Sequence, residues 1–131
     1  MNITLETFLQ QVKAGYPVSF QDTQHIIKCH YEYHPVRFYN GSGPDRLVNQ
    51  AGSNEGSCRI FYFAKLHNLS VTETLNLYGD YYRDEVLPCP EGSNHPNIRQ
   101  FIRYGWEGIE YEENEHPCLV KREKTLNLDQ N

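Results

Sequence analysis

The sequence predicts an α+β fold, a mostly helical single domain of about five helices with a small antiparallel sheet of two or three short strands. Three observations support this fold class. Apolar residues recur at helical spacing, helix start signals precede them, and short stretches beside glycine and asparagine suit strands. The chain has 131 residues, the usual length of one domain. We expect the domain at residues 1–112 and a charged, loosely ordered tail at 113–131.

The first two helices are predicted from apolar residues spaced one helical turn apart. These positions are Leu5, Phe8, Leu9 and Val12, followed by Ile26, Ile27 and Tyr31. Thr4 and Ser19 stand where an N-cap belongs, since their hydroxyl groups accept hydrogen bonds from the first helical turn. Pro35 ends the second helix, because the residue before a proline disfavours helical backbone.

A third helix is predicted after Ser57, although its pattern is ambiguous. Residues 60–64 (IFYFA) are apolar on every side, which fits a buried helix or a central strand. The following Lys65 and Leu66 favour the helix. The aromatic residues, Phe61 included, either pack in the core or stack on RNA, and stacking requires exposure.

Two more helices have clear start signals. Residues 70–73 (SVTE) form a capping box, and the apolar face that follows extends to Tyr82. Pro96 suits the first turn of a fifth helix, capped by Asn94 or His95, and Gly105 ends it. Residues 36–39, 47–48 and 108–111 are predicted strands, and the sheet they form should pack on the third helix.

Composition excludes some classes of function. The formal net charge of −5 argues against a nucleic-acid partner, because affinity for phosphates comes mainly from lysine and arginine. No apolar stretch has the roughly 20 residues of a membrane helix, and the first residues do not resemble a signal peptide. We therefore expect a cytoplasmic protein without a membrane partner. Its four cysteines, at 29, 58, 89 and 118, are expected as free thiols.

Cys58 is a candidate nucleophile. The sequence around it, residues 56–58 (GSC), places the thiol near a predicted helix start, where a thiolate is stabilised. This short motif, followed by an aromatic-rich helix, is similar to that of papain-like proteases over a few residues. A cysteine hydrolase needs a histidine oriented by an amide or carboxylate, and His95 with Asn97 suits that role. The alternative is a small thiol that packs against the core.

Histidines and cysteines of the second helix suggest a metal site. His25 and Cys29 lie four residues apart, as do His30 and His34, so each pair shares one helix face. Further ligands would have to come from distant residues: Cys89, Cys118 or His116. The alternative is an ordinary solvated helix surface, so we expect no metal and no cofactor.

Polar and aromatic residues at predicted element ends form a candidate ligand site. They are Asn54, Ser57, Tyr82, Arg83, Trp106 and Glu107. Arg83 suits a carboxylate or phosphate contact, and Trp106 suits a stacking wall. The alternative is structural: caps, inter-element hydrogen bonds and an ion-pair network.

An ordered series of motifs resembles the HopJ type III effector family over residues 3–111. The motifs are Asn40-Gly41, 47–52 (LVNQAG), Asn54, 56–61 (GSCRIF), 63–64, Leu66, 81–83 (YYR), 86–87, 90–92 (PEG), His95, 97–99 (NIR), Phe101 and 105–109 (GWEGI). The resemblance implies a bacterial protein associated with virulence, delivered into host cells by a type III secretion system. It implies no particular enzymatic activity. We expect a binding or interaction protein with an unknown protein or small-molecule partner, in an oligomeric state that the sequence does not give.

Overall fold

Short helices and strands alternate along the chain in a computed structural model that describes residues 4–112 and 117–126. The described α-helices are α1 (Leu5–Lys13), α2 (Phe20–His30), α3 (Glu55–Leu66), α4 (Val71–Asn76) and α5 (Pro96–Tyr104). The strands are β1 (Tyr31–Tyr33), β2 (Phe38–Asn40), β3 (Leu47–Asn49), β4 (Ile109–Tyr111) and β5 (Leu119–Lys121). The predicted α+β class is confirmed. None of these helices has the length and apolar character needed to cross a membrane.

Helix α3 forms the middle of the core. Five of its twelve residues are buried: Cys58, Ile60, Phe61, Phe63 and Ala64. The ring centroid of Phe61 lies 4.9 Å from that of Phe101 in α5 and 5.8 Å from that of Tyr78. Two residues further on, Phe63 packs on Tyr31 with a centroid distance of 5.9 Å. The helix is therefore surrounded on more than one side, which explains its apolar pattern.

Three strands form an antiparallel sheet in the order β3-β2-β4. In the central strand β2, Phe38 pairs with Asn49 of β3 on one side and with Tyr111 of β4 on the other. These are the three segments that the sequence predicts as strands, and Phe38 packs against Phe61 of α3 with a centroid distance of 6.0 Å. The predicted sheet and its packing on the third helix are confirmed.

A second sheet, β1 with β5, is absent from the sequence prediction. The second helix was expected to continue to Pro35, but α2 ends at His30 and Tyr31 adopts extended backbone. In the antiparallel pairing, Tyr31 lies opposite Lys121 and Tyr33 opposite Leu119. Because the partner strand is almost 90 residues away in sequence, no local signal predicts the change from helix to strand.

Residues 117–126, called the C-terminal strap below, lie across the end of α2. Two backbone bonds join them to α2, from Arg122 N–H to His30 and from Leu126 N–H to Cys29, and a third runs from His34 N–H, just after β1, to Cys118. Cys118 and Leu119 are buried. These residues belong to the segment for which the sequence predicts a loosely ordered tail, and the described part has ordered contacts. Residues 113–116 and 127–131 lie outside the described part.

Some of the helix ends lie where the sequence predicts them, and others do not. Thr4, Ser19 and Ser70 are N-caps as predicted. Helix α3 begins two residues before the predicted cap Ser57. Helix α4 ends at Asn76 instead of continuing to Tyr82, because Gly79 takes a φ of +61°. A Cβ there would lie 2.5 Å from the backbone nitrogen of Phe20, so only glycine fits. A π-helical segment, Tyr81–Val86, follows.

Replacing Phe61 tests the position of α3 in the core. The side chain has no exposed surface, so Phe61→Ala should lower the free energy of unfolding by about 3–5 kcal/mol. Ile102→Ala is a suitable control, because Ile102 is 47% exposed and should lose far less. Denaturant unfolding followed by circular dichroism measures both. Equal losses in the two variants would contradict the burial of Phe61.

Candidate functional site

A cleft of about 240 Å³ lies where α3 and α5 begin. The residues that line it are Phe20, Asn54, Tyr78, Tyr81, His95, Pro96, Asn97 and Ile98. Aromatic rings form a continuous row of contacts along it: Phe20 and Tyr81 meet edge to face with centroids 4.9 Å apart, and the tilted rings of Tyr81 and His95 have centroids 5.1 Å apart. The cleft therefore combines an apolar wall with amide groups, the composition typical of small-molecule sites.

The backbone is strained at both helix starts that border the cleft. Asn54 precedes α3 and His95 precedes α5, and each has a φ of 51°, in the left-handed region. Neither side chain caps the helix that it precedes. Such conformations cost about 1–3 kcal/mol each and are concentrated at functional sites. Two of them beside one cleft make this the leading candidate site in the described part of the chain.

Four asparagines form a polar network below the cleft: Asn40, Asn49, Asn54 and Asn97. Asn97 and Asn49 exchange a pair of amide hydrogen bonds of 2.8 and 3.1 Å. Asn40 Nδ2 donates to both the backbone oxygen and Oδ1 of Asn97, and Asn54 Nδ2 donates to Asn49 Oδ1. Asn40, Asn49 and Asn97 are all buried. The network joins β2, β3 and both helix starts, and so fixes the walls of the cleft relative to each other.

One polar atom of this network has no partner among the described residues. It is Oδ1 of Asn40, whose side chain has no exposed surface. The Nδ2 atom of the same amide donates to two oxygens of Asn97. A buried carbonyl oxygen without a donor costs free energy. Oδ1 of Asn40 is therefore an unused hydrogen-bond acceptor beside Asn97, which lines the cleft.

His95 is positioned by two contacts. Its Nε2 atom lies 2.8 Å from Oε1 of Glu85, and its ring lies against Tyr81. A charged imidazole donates this bond in an ion pair, and a neutral one donates it in the Nε2–H tautomer. The carboxylate therefore orients the ring at the edge of the cleft, with a quarter of the side chain exposed.

Cys58 is the fourth residue of α3 and lies inside the protein. Its exposed fraction is 2%, and its sulfur contacts the backbone oxygen of Val36 at 3.5 Å and Sγ of Cys118 at 3.6 Å. The hydrogen bond from the Cys118 thiol lowers the pKa of Cys58, whereas the same contact and burial raise the pKa of Cys118. Cys58 and His95 thus have separate partners, and Cys58 does not line the cleft.

Comparisons with known proteins decide the family. The family described as "HopJ type III effector protein" matches residues 5–116, most of the chain. The chain belongs to the HopJ type III effector family. A solved structure, described as a crystal structure of the unknown-function protein VPA0580, has 36% sequence identity and a TM-score of 0.83. The match covers 93% of this chain and 97% of that one. No curated protein matches the chain.

The structure separates the other candidate residues of this HopJ chain. Ser57 Oγ accepts a hydrogen bond from the hydroxyl of Tyr78, which lines the cleft. Tyr82 and Arg83 line a different cavity of about 360 Å³. Arg83 donates to Asn76 Oδ1 and to the backbone oxygen of Val18, so it joins the chain between α1 and α2 to the end of α4.

Trp106 and Glu107 are also away from the cleft. The indole Nε1 of Trp106 donates to the backbone oxygen of Leu69, and its ring packs on Phe101 with a centroid distance of 5.0 Å. Glu107 is exposed. Of the nine candidate residues, the structure brings Asn54, His95 and Asn97 to the cleft wall, and Ser57 next to it.

The histidines that the sequence places on the second helix have different contacts. His25 Nε2 lies 3.6 Å from Cys29 Sγ, as the spacing predicts. His30 is buried, which lowers its pKa, and His34 pairs with Glu32. No three histidine, cysteine, aspartate or glutamate side chains converge as metal ligands within 4–112 and 117–126. The further candidate His116 lies outside those ranges.

Sequence reasoning missed the aromatic wall and half of the asparagine network. Phe20 and Tyr78 have ordinary helical spacing and look like core residues. Asn40 and Asn49 stand beside predicted strands and look like turn residues, although both occur in the motifs that resemble the HopJ family. All four asparagines of the network occur in those motifs, and this shared feature could have indicated that they belong to one site.

Substitutions at Asn54 test the backbone strain at the cleft. Asn54→Ala and Asn54→Gly both remove the amide bond to Asn49, but only glycine adopts a φ of 51° without strain. The glycine variant should therefore unfold with a free energy about 1 kcal/mol higher than the alanine variant.

The same pair of substitutions at Gln10, an exposed residue in the interior of α1, is the control. There alanine should be the more stable, because glycine weakens a helix interior. Denaturant midpoints of all four variants measure the difference. The same order at both positions would contradict the strain at Asn54.

Proposed function

We propose that this HopJ-family chain is a binding protein whose cleft, at the starts of α3 and α5, takes a small ligand with a flat ring and a polar edge. The observation that carries the proposal is the juxtaposition of a row of aromatic rings with two strained helix starts. The volume of about 240 Å³ favours a one-ring molecule.

The two walls of the cleft suit different parts of such a ligand. Tyr81 and His95 offer ring faces on which a planar group can stack. The first turn of a helix has backbone N–H groups without helical partners, and these attract electronegative atoms. The asparagine network keeps the walls in place before a ligand enters, which lowers the entropy cost of binding.

Nuclear magnetic resonance titration with benzamide and benzoate tests the proposal. Both probes have the same ring, and only benzoate is charged. Shifts should cluster at the amides of residues 54–58, 95 and 97–99, with millimolar affinity for such small probes. If both probes leave these amides unchanged, or shift only distant ones, the proposal is wrong. A larger response to benzoate would show that the helix starts prefer an anion.

A matched pair of variants separates the cleft from general effects of histidine. His95→Ala removes the last ring of the aromatic row and should weaken binding of the better probe about tenfold. His34→Ala removes a histidine that pairs with a carboxylate in the same way, at 3.0 Å from Glu32, but lies outside the cleft. It should leave the affinity unchanged.

The alternative function is a cysteine-dependent hydrolase that uses Cys58 and His95. The lowered pKa of Cys58 favours it, since a thiolate is the nucleophilic form. The burial of Cys58 and the bond of His95 to Glu85 favour the binding protein instead. A catalytic pair works near hydrogen-bond distance of the substrate.

Alkylation of the native protein distinguishes the two functions. Cys89 is exposed and Cys58 is not, so iodoacetamide should modify Cys89 at least about 100-fold faster. Mass spectrometry of digested samples follows each cysteine, and the denatured protein is the control in which both react. Faster modification of Cys58 than of Cys89 would favour the hydrolase.

The place of action is part of the proposal. We propose a bacterial protein that stays in the cytoplasm or, as the family description suggests, enters a host cell through a type III secretion system. A reporter fusion of the full chain, expressed with and without a working secretion system, tests this. Export only in the presence of the system would support the role of an effector.

A further inference from the structure

Two buried thiols touch each other in the core. Sγ of Cys58 and Sγ of Cys118 are 3.6 Å apart, although the residues are 60 positions apart in sequence. Both side chains are almost completely buried, with exposed fractions of 2% and 0%. A disulfide bond requires a sulfur–sulfur distance of about 2.05 Å, so the two atoms need to approach by only about 1.5 Å.

The two cysteines belong to different elements of the fold. Cys58 lies in α3, at the middle of the core, whereas Cys118 lies in the C-terminal strap. The strap is held by a two-stranded sheet, three backbone bonds and the burial of Cys118 and Leu119, and a two-stranded sheet is marginal alone. A bond between the sulfurs would join the weakly held segment to the most buried helix.

We propose that Cys58 and Cys118 form a reversible dithiol–disulfide pair, oxidised by a low-molecular-weight disulfide, which latches the C-terminal strap to α3. This pair is separate from the cleft, and the proposal does not depend on the proposed ligand. It makes the two cysteines a modification site whose product is a cross-link.

The chemistry balances with the small disulfide as oxidant. When the strap opens locally, the Cys58 thiolate attacks one sulfur of the reagent, and a mixed disulfide forms as one thiolate leaves. The Cys118 thiol then loses its proton and attacks Sγ of Cys58, and the second thiolate leaves. The pair loses two electrons and two protons, and the reagent is reduced to two thiols.

The remaining two cysteines lack such a partner and serve as internal references. Cys89 is exposed, and its backbone oxygen accepts a bond from Arg99. Cys29 lies beside His25 in α2. The exposed Cys89 can form a mixed disulfide with the reagent, and the buried Cys29 is the reference for a thiol inside the protein, whereas Cys58 and Cys118 can form a bond with each other.

Equilibration of the wild-type full chain in glutathione buffers of graded redox poise tests the proposal. After acid quenching and digestion, a peptide pair joined through Cys58 and Cys118 should appear in mildly oxidising buffer and disappear with dithiothreitol. Cys89 should carry glutathione instead. If Cys58 and Cys118 stay reduced or carry glutathione while Cys89 is modified, the proposal is wrong. This measurement requires no variant, so a misfolded mutant cannot obscure it.

Stability and proteolysis test the latch. Oxidation should raise the Tm of the wild type and of Cys89→Ser by about 10 °C, because the cross-link closes a long loop. The Tm of Cys118→Ser should not rise. Trypsin cleavage after Lys121 and Arg122, within the strap, should slow about tenfold on oxidation of the wild type. Equal cleavage rates in the oxidised and reduced wild type would show that the bond does not hold the strap, and would overturn the latch.

Discussion

The burial of α3 on several sides is the constraint on which the rest of the structure depends. Helix α3 has large apolar side chains on more than one side, among them Phe61 and Phe63. Other elements must therefore cover it in more than one direction. The β2 sheet and α5 cover the first ring, and α1 with β1 covers the second. The chain is short, so each of these elements is short as well.

The asparagine network is the polar counterpart of this apolar core. Buried amides are costly unless their donors and acceptors are used, and this network uses nearly all of them. A satisfied amide pair also has a fixed direction, which apolar contacts lack. The network can therefore hold Asn54 and Asn97 at defined positions. Each of these residues lies at a helix start, so the network also fixes the two helix starts relative to each other.

The sequence predicted the parts of the fold that depend on neighbours in the chain. Hydroxyl caps such as Thr4, Ser19 and Ser70 act within three residues, and three strands and the burial of Phe61 followed from local patterns. The β1–β5 pairing did not, because the extended backbone of Tyr31 depends on a strand from the far end of the chain. The start of α3 was also misplaced, since an asparagine in left-handed backbone resembles a turn.

The same difference between local and distant contacts explains the prediction of the site. His95, Asn97 and Asn54 stood out because their neighbours are helix start signals. The cleft also needs Phe20 and Tyr78, whose side chains reach it only through the packing of α2 and α4 on α3. Cys58 stood out for its position near a helix start, but its real partner, Cys118, is set by the path of the strap.

The pairing of β1 with β5 also has a consequence for synthesis on the ribosome. Strand β1 is complete once residue 33 has been made, but its partner appears only with residues 119–121. During most of translation the edge of β1 is therefore unpaired, and the side of the core under Leu119 is uncovered. Unpaired edges and exposed apolar surface promote association between nascent chains, so this side of the core is open to such contacts until residues 119–121 have been made.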